Sequence, residues 1–218
     1  MTDVLEPLSG PVAPGLIDSP DAVGAKVTPS DGYGARSAQV YTLLILTVIS
    51  ALSLVDRVAV GMVQEPIKQE FLLSDFQLGL LGGPAFAVLY SLLGLPVAQM
   101  AERGNRTTIV AVSLALWSIA TAATGLALGY GSLFAARLGV GIGEAGSAPP
   151  SQSLIVDYVP ASRRTMALAI YGLGVSLAFI VAGFGGGWLA ELAGWRMMFI
   201  LLAVPCLILA VVLKLTVR

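Results

Sequence analysis

Ala135-Ala136-Arg137-Leu138-Gly139-Val140-Gly141-Ile142-Gly143-Glu144-Ala145, running on through Pro149-Pro150 to Asp157, is apolar enough to cross a bilayer yet carries an arginine and a glutamate. In a helix, Arg137, Gly141 and Glu144 fall at i, i+4 and i+7 and share one face. Ser151 lies seven residues further along that stripe, past a proline pair expected to bend the helix. A charge near the middle of a membrane helix costs at least about 2.5–3.5 kcal/mol. Such a side chain persists only where it faces protein or water and finds a partner. The face is therefore expected to line a polar cavity inside a helical bundle, and the cavity to be a transport path.

Composition agrees with this reading. The 218 residues are 56% hydrophobic and only 11% charged, with a mean hydropathy of +0.87. A soluble domain carries about 25% charged residues, so this is a membrane protein. The net charge of −1 gives no argument for nucleic acid. Histidine is absent, which removes His-dependent hydrolysis and most transition-metal sites. The single cysteine, Cys206, excludes an internal disulfide and reads as a packed or lipid-facing thiol. No Ser or Cys nucleophile sits beside a base, so an enzyme is not expected. Neither is a cofactor or a metal.

Residues 1–36 are rich in Pro, Gly, Ser and Asp and have no apolar segment behind a basic start. They read as a disordered tail rather than a signal peptide. Six apolar runs follow, at about 41–63, 76–100, 108–129, 132–156, 166–189 and 197–213, each long enough to cross a bilayer. Between the first two lies a polar link containing Pro66, ending at Ser74 or Asp75 as the N-cap of the second span. Gly82-Gly83-Pro84 is expected to kink that span. The third span is plain, its Ser and Thr free to bond back to their own helix.

Basic residues fix an orientation. Lys26, Arg36, Arg103, Arg106, Arg163, Arg164, Lys214 and Arg218 fall on the side of the tail, against Lys68 and Arg196 opposite. Both termini are therefore expected in the cytoplasm. The spans also repeat by type. The first and fourth carry charges, the second and fifth are glycine-rich, and the third and sixth carry none. Three is odd, so the second triplet crosses in the opposite sense, as in the inverted repeats of secondary transporters. The expected architecture is all-α: residues 37–218 as one six-helix bundle, with triplets at about 40–130 and 131–218. The first helix of each triplet would line a cavity, the second pack on another bundle, and the third face lipid.

Asp56-Arg57 in span one and Arg137 with Glu144 in span four are the candidate proton and substrate sites. An arginine that approaches and withdraws from a carboxylate lets it take up and release a proton; a purely structural ionic lock is the other reading. Arg137 and Glu144 lie about 10 Å apart along one helix axis, too far to pair. Each is expected to meet a partner on span one, or a water. Gly141 to Gly146 spells G-x-G-x-x-G, but without a strand before it. Close helix packing explains it better, as it does Gly79/Gly83, Gly139/Gly143 and Gly183/Gly187. Glu102, Arg103, Arg106, Asp157, Arg163 and Arg164 occupy neighbouring loops, as a solvated basic rim or as a latch.

Four of these segments resemble the N-terminal half of a major facilitator superfamily transporter, and within it the spinster-like branch. Leu52-Ser53-Leu54-Val55-Asp56-Arg57 is similar to that branch's L-N-x-x-D-R. Glu102-Arg103-Gly104-Asn105-Arg106 resembles its D-R-x-N-R loop, and Arg137 to Ala145 its R-x-G-x-G-x-G-E-A. Asp157-Tyr158-Val159-Pro160, followed by Arg163-Arg164, resembles D-x-x-P-x-x-R-R. The resemblance implies a secondary carrier of amphipathic or anionic solutes, working by alternating access and coupled to protons. Asp56, Arg57, Arg137 and Glu144 would lie in its central cavity, and the six loop residues would form a cytoplasmic latch. Ser53 replaces Asn, Glu102 replaces Asp, Ala98 stands for a Gly and Thr107 for a basic residue. Such carriers have twelve helices in two halves. Truncation of a longer carrier is the expected reading, pairing with another six-helix chain the second, and a non-transporting scaffold or sensor of the same fold the alternative.

Overall fold

The computed structural model describes residues 35–83, 87–88, 90–93, 96, 99 and 104–217. The expected tail up to Gly34, Pro84, Ala98, Glu102 and Arg103 lie outside them. Every regular element among the described residues is helical.

Helix α1, Arg36–Met62, is the first span. Its Thr47 hydroxyl returns to the Leu43 carbonyl at 2.8 Å, so a polar side chain sits in the apolar run without an orphaned donor. The expected polar link is instead a short helix, α2, Gln64–Phe71. Pro66 falls in its first turn, where a missing N–H costs nothing. The chain leaves α2 through Leu72 in the left-handed region (φ 52°). Ser74 then caps α3, Asp75–Gly82, in a reciprocal capping box with Gln77. Helix α3 stops at Gly83 (φ −154°, ψ −73°), at the expected glycine break.

Helix α4, Arg106–Gly125, starts from Asn105, whose side chain accepts the Thr108 N–H at 3.0 Å. Helices α5, Tyr130–Ala145, and α6, Ala148–Tyr158, make up the fourth apolar run. The bend falls at Gly146-Ser147, ahead of the prolines. Pro149 and Pro150 sit in the first turn of α6, where fixed φ suits the start of a helix rather than its interruption. Helix α7, Arg164–Val181, passes through a wider π turn, Ala182–Gly186, into α8, Gly187–Thr216. Gly194 (φ 79°, ψ 158°) interrupts α8 and separates the fifth apolar run from the sixth. Among the described residues, three stretches are long and apolar enough to cross a membrane: Arg36–Met62, Arg106–Gly125, and the interrupted 56 residues Ala161–Thr216.

The core has two ends. One gathers Leu46, Ile49, Leu114, Trp117, Val140, Ile155, Cys206 and Leu213. The other gathers Val60, Ile67, Leu133, Trp195 and Phe199. Cys206 is thus a core residue, not a lipid-facing one. The third span does not simply face lipid: Val112, Leu116 and Ile119 are exposed, but Leu114, Trp117 and Thr121 are buried against the neighbouring helices.

Three glycines allow close approach. A Cβ on Gly125 would collide with the Arg196 carbonyl where α4 meets α8. A Cβ on Gly143 would lie 2.6 Å from the Trp117 amide nitrogen, so α5 touches the backbone of α4. A Cβ on Gly174 would lie 2.8 Å from the Thr47 carbonyl where α7 crosses α1. Gly79, Gly83, Gly183 and Gly187 meet nothing within 4 Å. Their small-residue faces are not packed among the described residues.

Candidate functional site

The charged residues of α1 and α5 meet as two crossed pairs. Arg137 donates from Nη1 to Asp56 Oδ2 at 3.0 Å, and Arg57 donates from Nε to Glu144 Oε2 at 2.5 Å. Residues too far apart to pair along α5 thus each find a partner on α1. Asp56 and Glu144 are fully buried and Arg137 nearly so, while the Arg57 side chain is 34% exposed. Arg57 also lies over the Tyr90 ring, 4.7 Å from its centroid, and Arg137 lies 6.0 Å from that of Phe199. Among the described residues, Arg137 Nε and Glu144 Oε1 have no hydrogen-bond partner.

A cavity of about 420 Å³ opens beside the second pair. Ser50, Ser53 and Arg57 from α1, Tyr90, Gln152 from α6 and Tyr171 from α7 contribute to its wall. Of the four charged residues expected to line a common cavity, only Arg57 does so. Asp56, Arg137 and Glu144 stand behind the wall. Asp56 is turned into the bundle, fully buried with its two carboxylate oxygens held by Arg137 and Thr121, while Arg57 turns to the opening. Ser151 does not reach the cavity either. It is 1% exposed, and Gln152 takes its place because the break at Gly146-Ser147 shifts the phase of the stripe.

Three contributors carried no charge signal. Thr121 donates to Asp56 Oδ1 at 3.0 Å, whereas its neighbours Ser118 and Thr124 bond back to Leu114 and Ala120 carbonyls as expected. Tyr90 and Gln152 are uncharged and stand beside serines (Ser91; Ser151 and Ser153), so neither stands out in the sequence. At the far end of the bundle Glu70 is held by Trp195 Nε1 at 2.8 Å and by Arg196 Nη2 at 2.6 Å. Arg196 also reaches the carbonyls of Gly125 and Ala127 and stacks on Trp195. This clasp ties α2, the end of α4 and the restart of α8 after Gly194.

The Arg196 hydrogen bond, aided by Trp195, holds the Glu70 carboxyl below its ordinary value, although slight burial pushes it up. A lowered carboxylate pKa stabilises the fold above the unfolded value of about 4.3, and that contribution is lost as pH falls through the folded one. Because both side chains are more than a third exposed, the clasp is expected to contribute only about 0.2–1 kcal/mol. Chemical unfolding of the parent and Glu70→Gln between pH 7 and pH 3 checks this. The difference should be present at neutral pH and vanish at the acid end.

At the opposite end, Arg106 pairs with Asp157, joining the start of α4 to the end of α6. Arg164 donates to the Val159 carbonyl at 3.2 Å and so ties back its own turn. Arg163 lines a separate groove. With Glu102 and Arg103 outside the described residues, one pair of the expected latch is brought together.

Residues 44–218 match the family model of the Major Facilitator Superfamily. The chain belongs to that superfamily. It is 35% identical over 182 residues to an MFS-type efflux pump of Mycolicibacterium smegmatis, covering 83% of this chain and 42% of that one. It is 27% identical to a probable galactarate/D-glucarate transporter of Bacillus subtilis, covering 86% and 42%. A D-galactonate transporter of Escherichia coli is 30% identical, with 73% and 37% covered. Among solved structures, a bacterial homologue of the human lysosomal transporter Spinster, inward-facing and unoccupied, superposes with a TM-score of 0.76 at 38% identity. The match covers 85% of this chain and 44% of that one. The chain therefore spans less than half the length of these relatives. They are membrane transporters rather than enzymes, and superfamily membership with the apolar helices makes this an integral membrane protein.

Proposed function

We propose that this chain is the N-terminal half of a secondary carrier that moves a small anionic or amphipathic organic solute, coupled to protons, by alternating access. The observation that carries this reading is the crossed pairing of Asp56 with Arg137 and Arg57 with Glu144, one pair closed and one beside a cavity. Arg57 and Tyr90 offer the solute a cation and a ring, and Ser50, Ser53, Gln152 and Tyr171 offer hydroxyl and amide groups. Glu144 takes and gives the proton as Arg57 turns between it and the solute. Asp56 and Arg137 anchor α1 to α5 while this happens.

In this reading residues 37–218 form six spans in two inverted triplets, about 40–130 and 131–218, behind a cytoplasmic tail at 1–36. Both chain ends face the cytoplasm. The glycine faces around Gly79 and Gly183, unpacked among the described residues, receive a second six-helix half. Arg106 and Asp157, with Glu102 and Arg103, close the cytoplasmic side. Galactarate, galactonate and muconate, named for relatives, set the first solutes to try.

Proteoliposomes holding the chain with and without a co-expressed six-helix C-terminal half, loaded against a pH gradient, test the proposal. Gradient-driven uptake of one of these acids is expected only when both halves are present. A stable complex that moves none of them in either direction would instead favour a non-transporting scaffold.

A further inference from the structure

A groove of about 200 Å³ lies between the first turns of α1 and α7. Its polar end is made by Arg36 and Arg163, both exposed. Val40, Leu43, Met166 and Ile170 form an apolar floor running from them along the two helices, with Val40 49% and Met166 70% exposed. Among the described residues neither arginine has an acidic partner. Asp157, the acid at the end of α6, is engaged by Arg106. Neither helix has an acid in its first turn or a side-chain cap, unlike α3 with Ser74 and α4 with Asn105. The positive end of α1 therefore adds to the two guanidinium groups of this groove.

We infer that this groove holds one anionic phospholipid, its phosphate between Arg36 and Arg163 and the upper part of one acyl chain against Val40, Leu43, Met166 and Ile170. Both helices enter the apolar layer from here, which puts the arginines at headgroup depth and the floor at acyl depth. A free phosphate would use the arginines and leave the floor uncovered. A zwitterionic lipid would bring its own cation toward two others. The inference rests on the membrane setting of the two helices and not on the transport reading, so either can fail alone.

Native mass spectrometry of the full 218-residue chain, released from micelles containing equal phosphatidylglycerol and phosphatidylcholine, tests it. Retained phosphatidylglycerol is expected to exceed phosphatidylcholine, and each arginine removed in Arg36→Gln and Arg163→Gln should weaken it by about five-fold. The Lys versions of both should restore most of the preference. Met166→Asp, at an exposed position that leaves the arginines intact, should also abolish it. Equal retention of the two lipids, or a preference that survives the double Gln variant, would overturn the inference. So would full competition by glycerol 3-phosphate, which has no acyl chain. Binding that appears only once residues 1–34 are deleted would also overturn it. That segment carries Asp3, Glu6, Asp18, Asp21 and Asp31 against Lys26 alone, and would then be the resident partner.

Discussion

Arg137→Met is expected to destabilise the bundle by about 3–5 kcal/mol, and adding Asp56→Leu is expected to return most of that loss. Asp56 is fully buried and its two carboxylate oxygens are taken by Arg137 and Thr121, each at 3.0 Å. Removing the guanidinium strands a carboxylate that water cannot reach. Removing both charges leaves only the Thr121 hydroxyl to be satisfied, and it can turn back to its own helix as Ser118 and Thr124 already do. Thr121→Val should cost less, about 1.5–3 kcal/mol, the usual range for a hydrogen bond to a charged group. Unfolding of the purified variants in mixed micelles, arranged as a double-mutant cycle, measures the coupling. A loss below about 1 kcal/mol for Arg137→Met would mean that the pair is solvated, as surface pairs are.

This pair also marks where sequence reasoning succeeded and where it stopped. The separation of Arg137 and Glu144 along one helix already forbade their pairing and pointed to α1. Which charge meets which depends on how α1 crosses α5. That crossing is fixed by tertiary packing, in which Gly143 seats α5 against the Trp117 backbone of α4 and Gly174 seats α7 against α1, and not by any periodicity. Treating Asp56 and Arg57 as one cavity-facing unit could not foresee that Arg137 and Thr121 hold Asp56 inside the bundle. Extending the stripe to Ser151 assumed that the helix runs unbroken to the prolines, whereas it has already been interrupted at Gly146-Ser147.

Other features left weaker traces. A threonine in an apolar helix usually bonds its own backbone, so Thr121 could not be told from Ser118 or Thr124 before its neighbour was known. Glu70 and Arg196 are separated by most of the chain and meet only because Gly194 breaks α8. By contrast, the N-cap at Ser74, the break at Gly82-Gly83 and the close packing at Gly139 and Gly143 follow from local chemistry, and local chemistry is what one sequence displays best.

The second pair should behave asymmetrically. Arg57→Met is expected to cost about 3 kcal/mol, the low end for breaking a buried pair, because Arg57 is itself a third exposed. Glu144→Gln should cost less than about 1 kcal/mol, since the amide oxygen still accepts from Arg57 Nε and the guanidinium keeps the cavity and the Tyr90 ring. The asymmetry follows from burial alone: the methionine strands a carboxylate with no water, and the glutamine leaves a cation that has some. It also separates stability from transport. If Glu144 carries the proton, Glu144→Gln should unfold like the parent and yet lose pH-driven uptake when assembled with the second half, while Arg57→Met should lose both. Should Glu144→Gln prove as destabilising as Arg57→Met while leaving uptake intact, the pair would be a fastening between α1 and α5, and the proton would have to be carried elsewhere.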